Sequence, residues 1–137
     1  MLIAADMLFI IAVLVGVSTN VSKKEVLKQT QNYMLSESRS YGKNIESESS
    51  VGLLKLSNPK DIGYTLKDVH IDGAPSSYAY LVDNTGKMLY HPTASKSGSQ
   101  VENSVVSGLV KELKSGKVPE SKCVDYNFNG VKKYASY

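Results

Sequence analysis

Residues 1–18, MLIAADMLFIIAVLVGVS, are almost entirely apolar, and this stretch restricts the possible folds more than any other part of the chain. Asp6 is its one charged residue. A helix that spans a bilayer needs roughly 17–25 apolar residues, so the stretch predicts a transmembrane helix over residues 1–19 that is cut short at its N-terminus. A signal peptide and a buried core helix are the alternatives, but the positively charged start of a signal peptide is missing.

A weakly amphipathic pattern follows the apolar stretch. Leu27, Met34 and Tyr41 recur at heptad spacing, and the first proline of the chain is Pro59. This spacing places the three side chains on one helical face. We therefore predict one long helix over residues 20–57, which at about 1.5 Å per residue extends over about 50 Å and suits a stalk.

A strand–turn–strand pattern indicates that a sheet begins near residue 78, after a loop that contains one short element. Residues 78–83 and 87–91 are rich in Tyr, Leu and Val, as strands are. The turn between them begins with Asp83 and ends with Gly86, which is typical of a type I turn followed by a glycine in the left-handed conformation.

A helix and a second hairpin follow this first hairpin. Apolar residues at helical spacing predict a helix over residues 101–115, capped by Ser99 and closed by Gly116. The Asn129-Gly130 pair is a strong hairpin signal. The strands that it joins are predicted over residues 122–128 and 131–137. A long helix, two strands, a helix and two strands predict an α+β fold with helices on an antiparallel sheet.

The residues that could perform chemistry do not form a catalytic set. A net charge of +3 is too small to suggest nucleic acid as a partner. Cys123 is the one cysteine and cannot form an internal disulfide. Besides His91, the only histidine is His70, and a metal site there needs more ligands than the sequence places near it. We therefore expect no enzyme, no cofactor, no metal site and no nucleic-acid partner.

Tyrosines are frequent in the predicted strands, and their alternation suggests where a ligand binds. Tyr78 and Tyr80 share one face of their strand, Tyr90 shares a face with Met88, and His91 points the other way. One face is expected to pack on the long helix, while the other lines a small-molecule cavity; ordinary sheet packing is the alternative. For His91 a structural role at the end of the strand and a ligand contact both remain open. The candidate binding residues are Tyr78, Tyr80, Tyr90, His91, Tyr126 and Tyr134.

Three segments together resemble a Cache domain, the PAS-like extracytoplasmic sensor of bacterial methyl-accepting chemotaxis proteins. They are YAYLVDNTGKMLYHPTASKSG, VENSVVSGLVKELKSGKVPE and VDYNFNGVKKYASY. The likeness covers residues 78–137, and residues 1–57 in architecture only. The points of likeness are Asp83 with Gly86, His91 with Pro92, Gly98, and Gly130 with Tyr134.

The resemblance implies a transmembrane receptor that binds a small molecule and does not catalyse a reaction. In the family a membrane helix runs into a long helix that packs on a PAS-like sheet, and the ligand, often a carboxylate, amino acid or similar nutrient, sits against that sheet. Binding is relayed across the membrane for chemotaxis, and we expect a homodimer through the stalk helix. The expected parts are a membrane helix over 1–19, a stalk helix over 20–57 and a single sensor domain over 58–137 that lacks its last strand or strands.

The sequence departs from the family in one respect that concerns the ligand. The arginine-and-aromatic signature of amino-acid-binding Cache modules is absent, because Arg39 in the predicted stalk is the one arginine. Lys96, Lys132 and Lys133 remain as candidate partners for an anionic ligand, and Lys132 joins the candidate binding residues on this basis.

Membrane orientation and output domain have competing predictions. Lys23 and Lys24 follow the apolar stretch, which by the positive-inside rule places the rest of the chain in the cytoplasm. The resemblance places the sensor outside the cell membrane, and we follow it because residues upstream are expected to be missing. The same sensor also occurs on histidine kinases and cyclic-nucleotide enzymes. A type IV pilin-like subunit is the structural alternative; Asp6 fits it, but the typical Gly-Phe-Thr-Leu-x-Glu opening is absent.

Overall fold

A single antiparallel sheet with helices on both faces organises the chain. The computed structural model describes residues 7–13, 22–101 and 103–137. The five strands lie in the order β3-β2-β1-β5-β4. In chain order the elements are β1 (Met7–Val13), α1 (Ser22–Ser50), α2 (Pro59–Leu66), β2 (Tyr78–Asp83), β3 (Met88–Tyr90), a short 3-10 helix (Ala94–Lys96), α3 (Ser104–Lys114), β4 (Cys123–Phe128) and β5 (Val131–Ser136). The predicted α+β class, with a long helix packed on an antiparallel sheet, is confirmed.

The apolar N-terminal stretch forms a strand where the structure describes it. β1 pairs antiparallel with β2 on one side and with β5 on the other, so it lies at the centre of the sheet. The helix predicted over residues 1–19 is therefore wrong for Met7–Val13, and the remainder of that prediction falls outside the described residues. A short apolar run fits a central strand as well as a buried helix, and its periodicity cannot separate them. Among the helices that the structure describes, none is long and apolar enough to cross a membrane.

The long helix α1 packs on the sheet through the face that the heptad spacing predicts. Met34 and Ile45 are fully buried, and Leu27 and Tyr41 pack against the same cluster. The buried hydroxyl of Ser136 in β5 donates to the backbone oxygen of Met34 at 2.9 Å, which ties the middle of the helix to the sheet.

The helix ends earlier than its predicted limit at residue 57. Gly52 has a φ of 76°. The N–H of Leu53 donates to the carbonyl oxygen of Glu48 at 2.9 Å. This is the glycine-based helix stop in which a left-handed residue lets the chain satisfy the last carbonyl groups. Pro59 then begins α2, because a proline at the first turn of a helix has no N–H to leave unpaired.

Both faces of the sheet are covered, and alternation along each strand decides which side chain faces which helix. On one face Ala79, Leu81 and Tyr134 form a core with residues of α1 and α2. On the other face Tyr80 and Val82 pack with residues of α3. The sheet therefore separates the long helix on one side from a second cluster on the opposite side.

A β-bulge in β3 changes the faces that simple alternation predicts. Leu81 pairs with Tyr90 but its neighbour Val82 pairs with Met88, so Leu89 is an extra residue on β3. Met88 therefore lies in the cluster on the α3 side, and Tyr90 lies in the core on the α1 side. The prediction that these two side chains share a face is wrong for this reason.

The hairpin turns are formed as predicted, and α3 begins later than predicted. Gly86 has a φ of 87°, and its N–H donates to the carbonyl oxygen of Asp83 at 3.0 Å. Asn129 and Gly130 both have positive φ, which joins β4 to β5 by the expected type of turn. Helix α3 is capped by the side chain of Asn103 and not by Ser99.

Candidate functional site

A cavity of about 250 Å³ lies on the sheet face opposite to α1. Cavities that hold drug-sized ligands measure about 300–1,000 Å³, so this one suits a small molecule. Strands β2, β3, β4 and β5 form its floor, and the segment between β3 and α3 forms its wall. The residues that line it are Tyr78, Tyr80, Met88, His91, Lys96, Ser99, Gln100, Val101, Asn103, Tyr126, Phe128 and Lys133.

Main-chain hydrogen bonds hold the wall segment against β3. Met88 donates its N–H to the carbonyl oxygen of Ser99 at 2.8 Å and accepts the N–H of Gly98 at 2.7 Å. Further along, Val101 donates its N–H to the carbonyl oxygen of Gly86 at 2.9 Å. The segment thus runs beside β3 almost as an added strand, and its side chains are held over the cavity by the backbone.

The aromatic side of the cavity is built from neutral tyrosines. The Tyr78 and Tyr80 ring centroids are 6.1 Å apart. Burial raises the pKa of Tyr80, whose hydroxyl accepts a hydrogen bond from Asn103 Nδ2 at 3.3 Å. Burial and, secondarily, the neighbouring Tyr78 raise the pKa of Tyr126 to about 12. These hydroxyls remain protonated at neutral pH, so they serve as hydrogen-bonding groups and not as bases.

His91 is fixed at the rim of the cavity by bonds at both its backbone and its ring. The residue as a whole is only 6% exposed. Its backbone N–H donates to Ser97 Oγ at 3.1 Å, and its Nδ1 accepts the N–H of Thr93 at 2.8 Å. The ring meets the Tyr78 ring edge to face at 5.0 Å between centroids. Burial, and then the positive charge of Lys96, lower the pKa of His91, which keeps the ring neutral at pH 7.

Two lysines give the cavity a positive charge that its described lining does not neutralise. Lys133 is partly buried, with its Nζ 4.6 Å from the centroid of the Phe128 ring. Burial, and then the charge of Lys96, lower the pKa of the Lys133 ammonium. No acidic side chain is found among the described residues that line the cavity. A negatively charged ligand would therefore relieve the repulsion between the two ammonium groups.

The structure brings together part of the predicted site. The predicted residues that line the cavity are Tyr78, Tyr80, His91 and Tyr126. Tyr90 and Tyr134 lie instead in the core on the α1 side. Lys132 is exposed, and its Nζ is 3.2 Å from Asp125 Oδ2.

Strand geometry explains why these residues lie elsewhere. The bulge turns Tyr90 away from Met88, as described above. On β5, Tyr134 faces α1, and Lys132 lies two residues before it on that same side of the strand. Lys133 therefore takes the cavity side, and the choice of Lys132 as the binding lysine is wrong.

Other lining residues had no clear signal in the sequence. Ser99, Gln100 and Val101 belong to an irregular segment with no strand periodicity, and Asn103 is mainly recognisable as a helix cap. Phe128 did carry a signal, because it alternates onto the same strand face as Tyr126. Of the residues that the structure describes, no three His, Cys, Asp or Glu side chains lie close enough together to hold a metal ion.

Comparisons with other proteins add no assignment to this geometry. The chain matches no protein-family model, no curated protein and no solved structure.

Proposed function

We propose that this chain is a sensing module that binds a small carboxylate in the cavity beside β3. The observation that carries the proposal is the combination of Lys96 and Lys133 with an aromatic floor and no described acidic neighbour. Ammonium groups bind carboxylates through charge-assisted hydrogen bonds, which are the stronger class of hydrogen bond. The aromatic rings supply the apolar surface that the remainder of such a ligand needs.

The size and the side-chain chemistry of the cavity favour binding over catalysis. The tyrosines are neutral, and His91 has its Nδ1 engaged by Thr93. A cavity of about 250 Å³ holds a metabolite-sized anion and little else. A binding role therefore fits the lining better than an enzymatic one.

The sheet offers a route by which binding in the cavity affects α1. Tyr78 and Tyr80 of β2 line the cavity, while Ala79 and Leu81 of the same strand pack in the core with α1 residues. A ligand that shifts β2 therefore shifts the surface on which the long helix rests. In the receptor proposal this movement is the first step of the relay across the membrane for chemotaxis.

The remaining parts of the receptor proposal depend on the resemblance to Cache sensors. We place the sensor outside the cell membrane of a bacterium, in a transmembrane chemoreceptor, and we propose a homodimer through α1. On that helix Val26 and Tyr33 are 60% and 43% exposed, so apolar surface is free for a second copy. Met7–Val13 belongs to the sheet and is not part of any proposed membrane anchor.

The proposal is tested by measuring thermal unfolding of the full chain with a panel of small carboxylates, amino acids and uncharged amides. A ligand that binds only the folded state stabilises it by about 2.7 kcal/mol at a hundredfold excess over Kd. At least one carboxylate should raise Tm in this way, and the matching amide should not. If no carboxylate in the panel raises Tm, the proposal is refuted. If the protein then also assembles into filaments, the pilin-like alternative is favoured.

The neighbouring lysines of β5 provide a matched pair of variants. Lys133→Met should weaken carboxylate binding about tenfold, because it removes a charged hydrogen-bond donor from the cavity. Lys132→Met should leave binding near the wild-type level, because its ammonium pairs with Asp125 outside the cavity. Equal effects of the two substitutions would contradict the proposed site.

A further inference from the structure

The two ring nitrogens of His91 have different surroundings, and this fixes the position of the ring proton. Nδ1 lies 2.8 Å from the backbone nitrogen of Thr93. A backbone N–H can only donate a hydrogen bond, so Nδ1 must be the unprotonated acceptor. The single proton of the neutral ring is therefore on Nε2.

The Nε2–H group lacks a hydrogen-bond partner among the described residues, although His91 is a buried residue with an exposure of only 6%. A buried donor without a partner destabilises a protein and needs an explanation. The rings of Tyr78 and Tyr80 lie beside the imidazole, at centroid distances of 5.0 Å and 6.1 Å. Among the described residues, the charged side chain that acts on the imidazole is Lys96, and its ammonium can only donate.

We propose that His91 is a neutral hydrogen-bond donor that selects carboxylates with a second acceptor oxygen next to the carboxylate, such as 2-oxo acids. The inference rests on the proposed function, because Lys96 and Lys133 are assigned to the carboxylate. His91, Lys96 and Lys133 line the same cavity, so an anion held by the two lysines shares that cavity with the imidazole. In the proposed complex the acceptor oxygen next to the carboxylate accepts the Nε2–H.

The same arrangement explains which ligands are rejected. A plain alkyl carboxylate leaves Nε2–H buried and unpaired, and sites built to hydrogen-bond a ligand discriminate strongly against analogues that lack the group. A 2-amino acid presents an ammonium group to Nε2–H and to two lysines, and these groups repel it. The cavity should therefore prefer 2-oxobutyrate to butyrate, and butyrate to 2-aminobutyrate.

Substitutions at position 91 separate the two nitrogens. In His91→Asn the amide oxygen lies near the position of Nδ1 and can accept the Thr93 N–H in an Asx turn, while the Nε2 donor is lost. In His91→Gln the amide nitrogen reaches the position of Nε2, while the Thr93 N–H loses its acceptor. His70→Asn is the control, because His70 is exposed and does not line the cavity.

Binding of butyrate, 2-oxobutyrate and 2-aminobutyrate is measured by calorimetry, with phenylpyruvate and 3-phenylpropionate as a larger matched pair. The wild type and His70→Asn should bind the 2-oxo acid of each pair about tenfold more tightly, as expected for a buried donor that is satisfied in one complex only. His91→Asn should lose this preference, and His91→Gln should keep part of it. Both variants should lower the apo Tm, because both remove the ring that packs against Tyr78 and Tyr80. A preference that persists in His91→Asn overturns the inference.

The ring proton is located independently by nitrogen NMR of the ¹⁵N-labelled protein at neutral pH, with His70→Asn used to assign the signals. We expect the Nε2–H form of His91 without ligand; an Nδ1–H form or an imidazolium overturns the inference. If the wild type binds both members of each pair equally, the inference fails while the proposed function stands. If it binds no carboxylate at all, both fail together.

Discussion

Gly86, at the end of the turn between β2 and β3, offers the sharpest test of how the cavity is built. Its φ of +87° lies in the left-handed region. A Cβ at this position would lie 2.6 Å from Gln100 Nε2 and 3.3 Å from a methyl carbon of Val110. Gly86→Ala therefore combines backbone strain with a clash against a residue that lines the cavity.

The expected loss of unfolding free energy in Gly86→Ala is the sum of these two contributions. Left-handed backbone costs an L-residue about 1–2 kcal/mol. Gln100 must also move, which breaks the 2.7 Å hydrogen bond from its Nε2 to the carbonyl oxygen of Thr85 and costs about 0.5–1.5 kcal/mol more. We expect Gly86→Ala to lower the free energy of unfolding by about 2–3 kcal/mol.

Gly98 is a matched control for the strain alone. Its φ is +86°, and a Cβ built there has no described atom within 4 Å. Gly98→Ala should therefore lower the free energy of unfolding by about 1–2 kcal/mol. The loss in Gly86→Ala should be larger by about 1 kcal/mol, and this difference between the two variants measures the crowding at Gly86. Any stabilisation from restricting the unfolded chain is similar in the two variants and largely cancels.

Urea unfolding followed by circular dichroism measures both variants, with ΔG compared at constant m-value. The Gly86→Ala protein should also bind carboxylate less tightly than Gly98→Ala, because Gln100 is displaced from the cavity wall. Equal losses of stability in the two variants would show that no crowding occurs at Gly86. A neutral Gly86→Ala would show that the turn does not have the left-handed geometry described above.

Two further predictions concern groups at the cavity. The free energy of unfolding should fall as pH decreases below about 6.5, because His91 in the unfolded chain binds a proton there and folded His91, with its lowered pKa, does not. Thermal unfolding between pH 7.5 and 5.5 should therefore depend less on pH in His91→Asn than in the wild type. An equal pH dependence in the two proteins would contradict the lowered pKa of His91. Asn103→Ala should lower stability by about 2–3 kcal/mol in urea unfolding, because it removes the α3 cap and the partner of the Tyr80 hydroxyl. Asn103→Ser keeps the cap and should lose about half as much, so equal losses would exclude the capping role.

Local signals in the sequence predicted the local structure well. The Asp83–Gly86 turn and the Asn129-Gly130 hairpin form because only a few residue types tolerate positive φ, and this restriction is visible in sequence. The face of α1 was predicted for a similar reason, since helical spacing fixes which side chains point together. The end of the same helix was placed too late because the glycine stop at Gly52 was not recognised.

Non-local pairing explains what could not be predicted. No property of the segment MLFIIAV alone reveals that partners far along the chain are available to make it a strand. The prediction of the binding site failed at Tyr90 for the same reason. The bulge at Leu89 reverses the side of the sheet on which Tyr90 lies, and it is visible only in the pairing of β2 with β3. The cavity wall after Pro92 is held by main-chain hydrogen bonds, which leave no strand periodicity in residues 97–101.

The position of β1 has a consequence for the order in which the molecule can fold. The hairpins β2–β3 and β4–β5 do not pair with each other, and β1 joins them, with Met7 opposite Asp83 and Val13 opposite Tyr134. β1 precedes both hairpins in the chain, so the ribosome releases it before either of its partners β2 and β5. Such long-range pairing slows folding. The second edge of this apolar segment is therefore covered only after β5 has been made, and until then it is available to chaperones or to self-association.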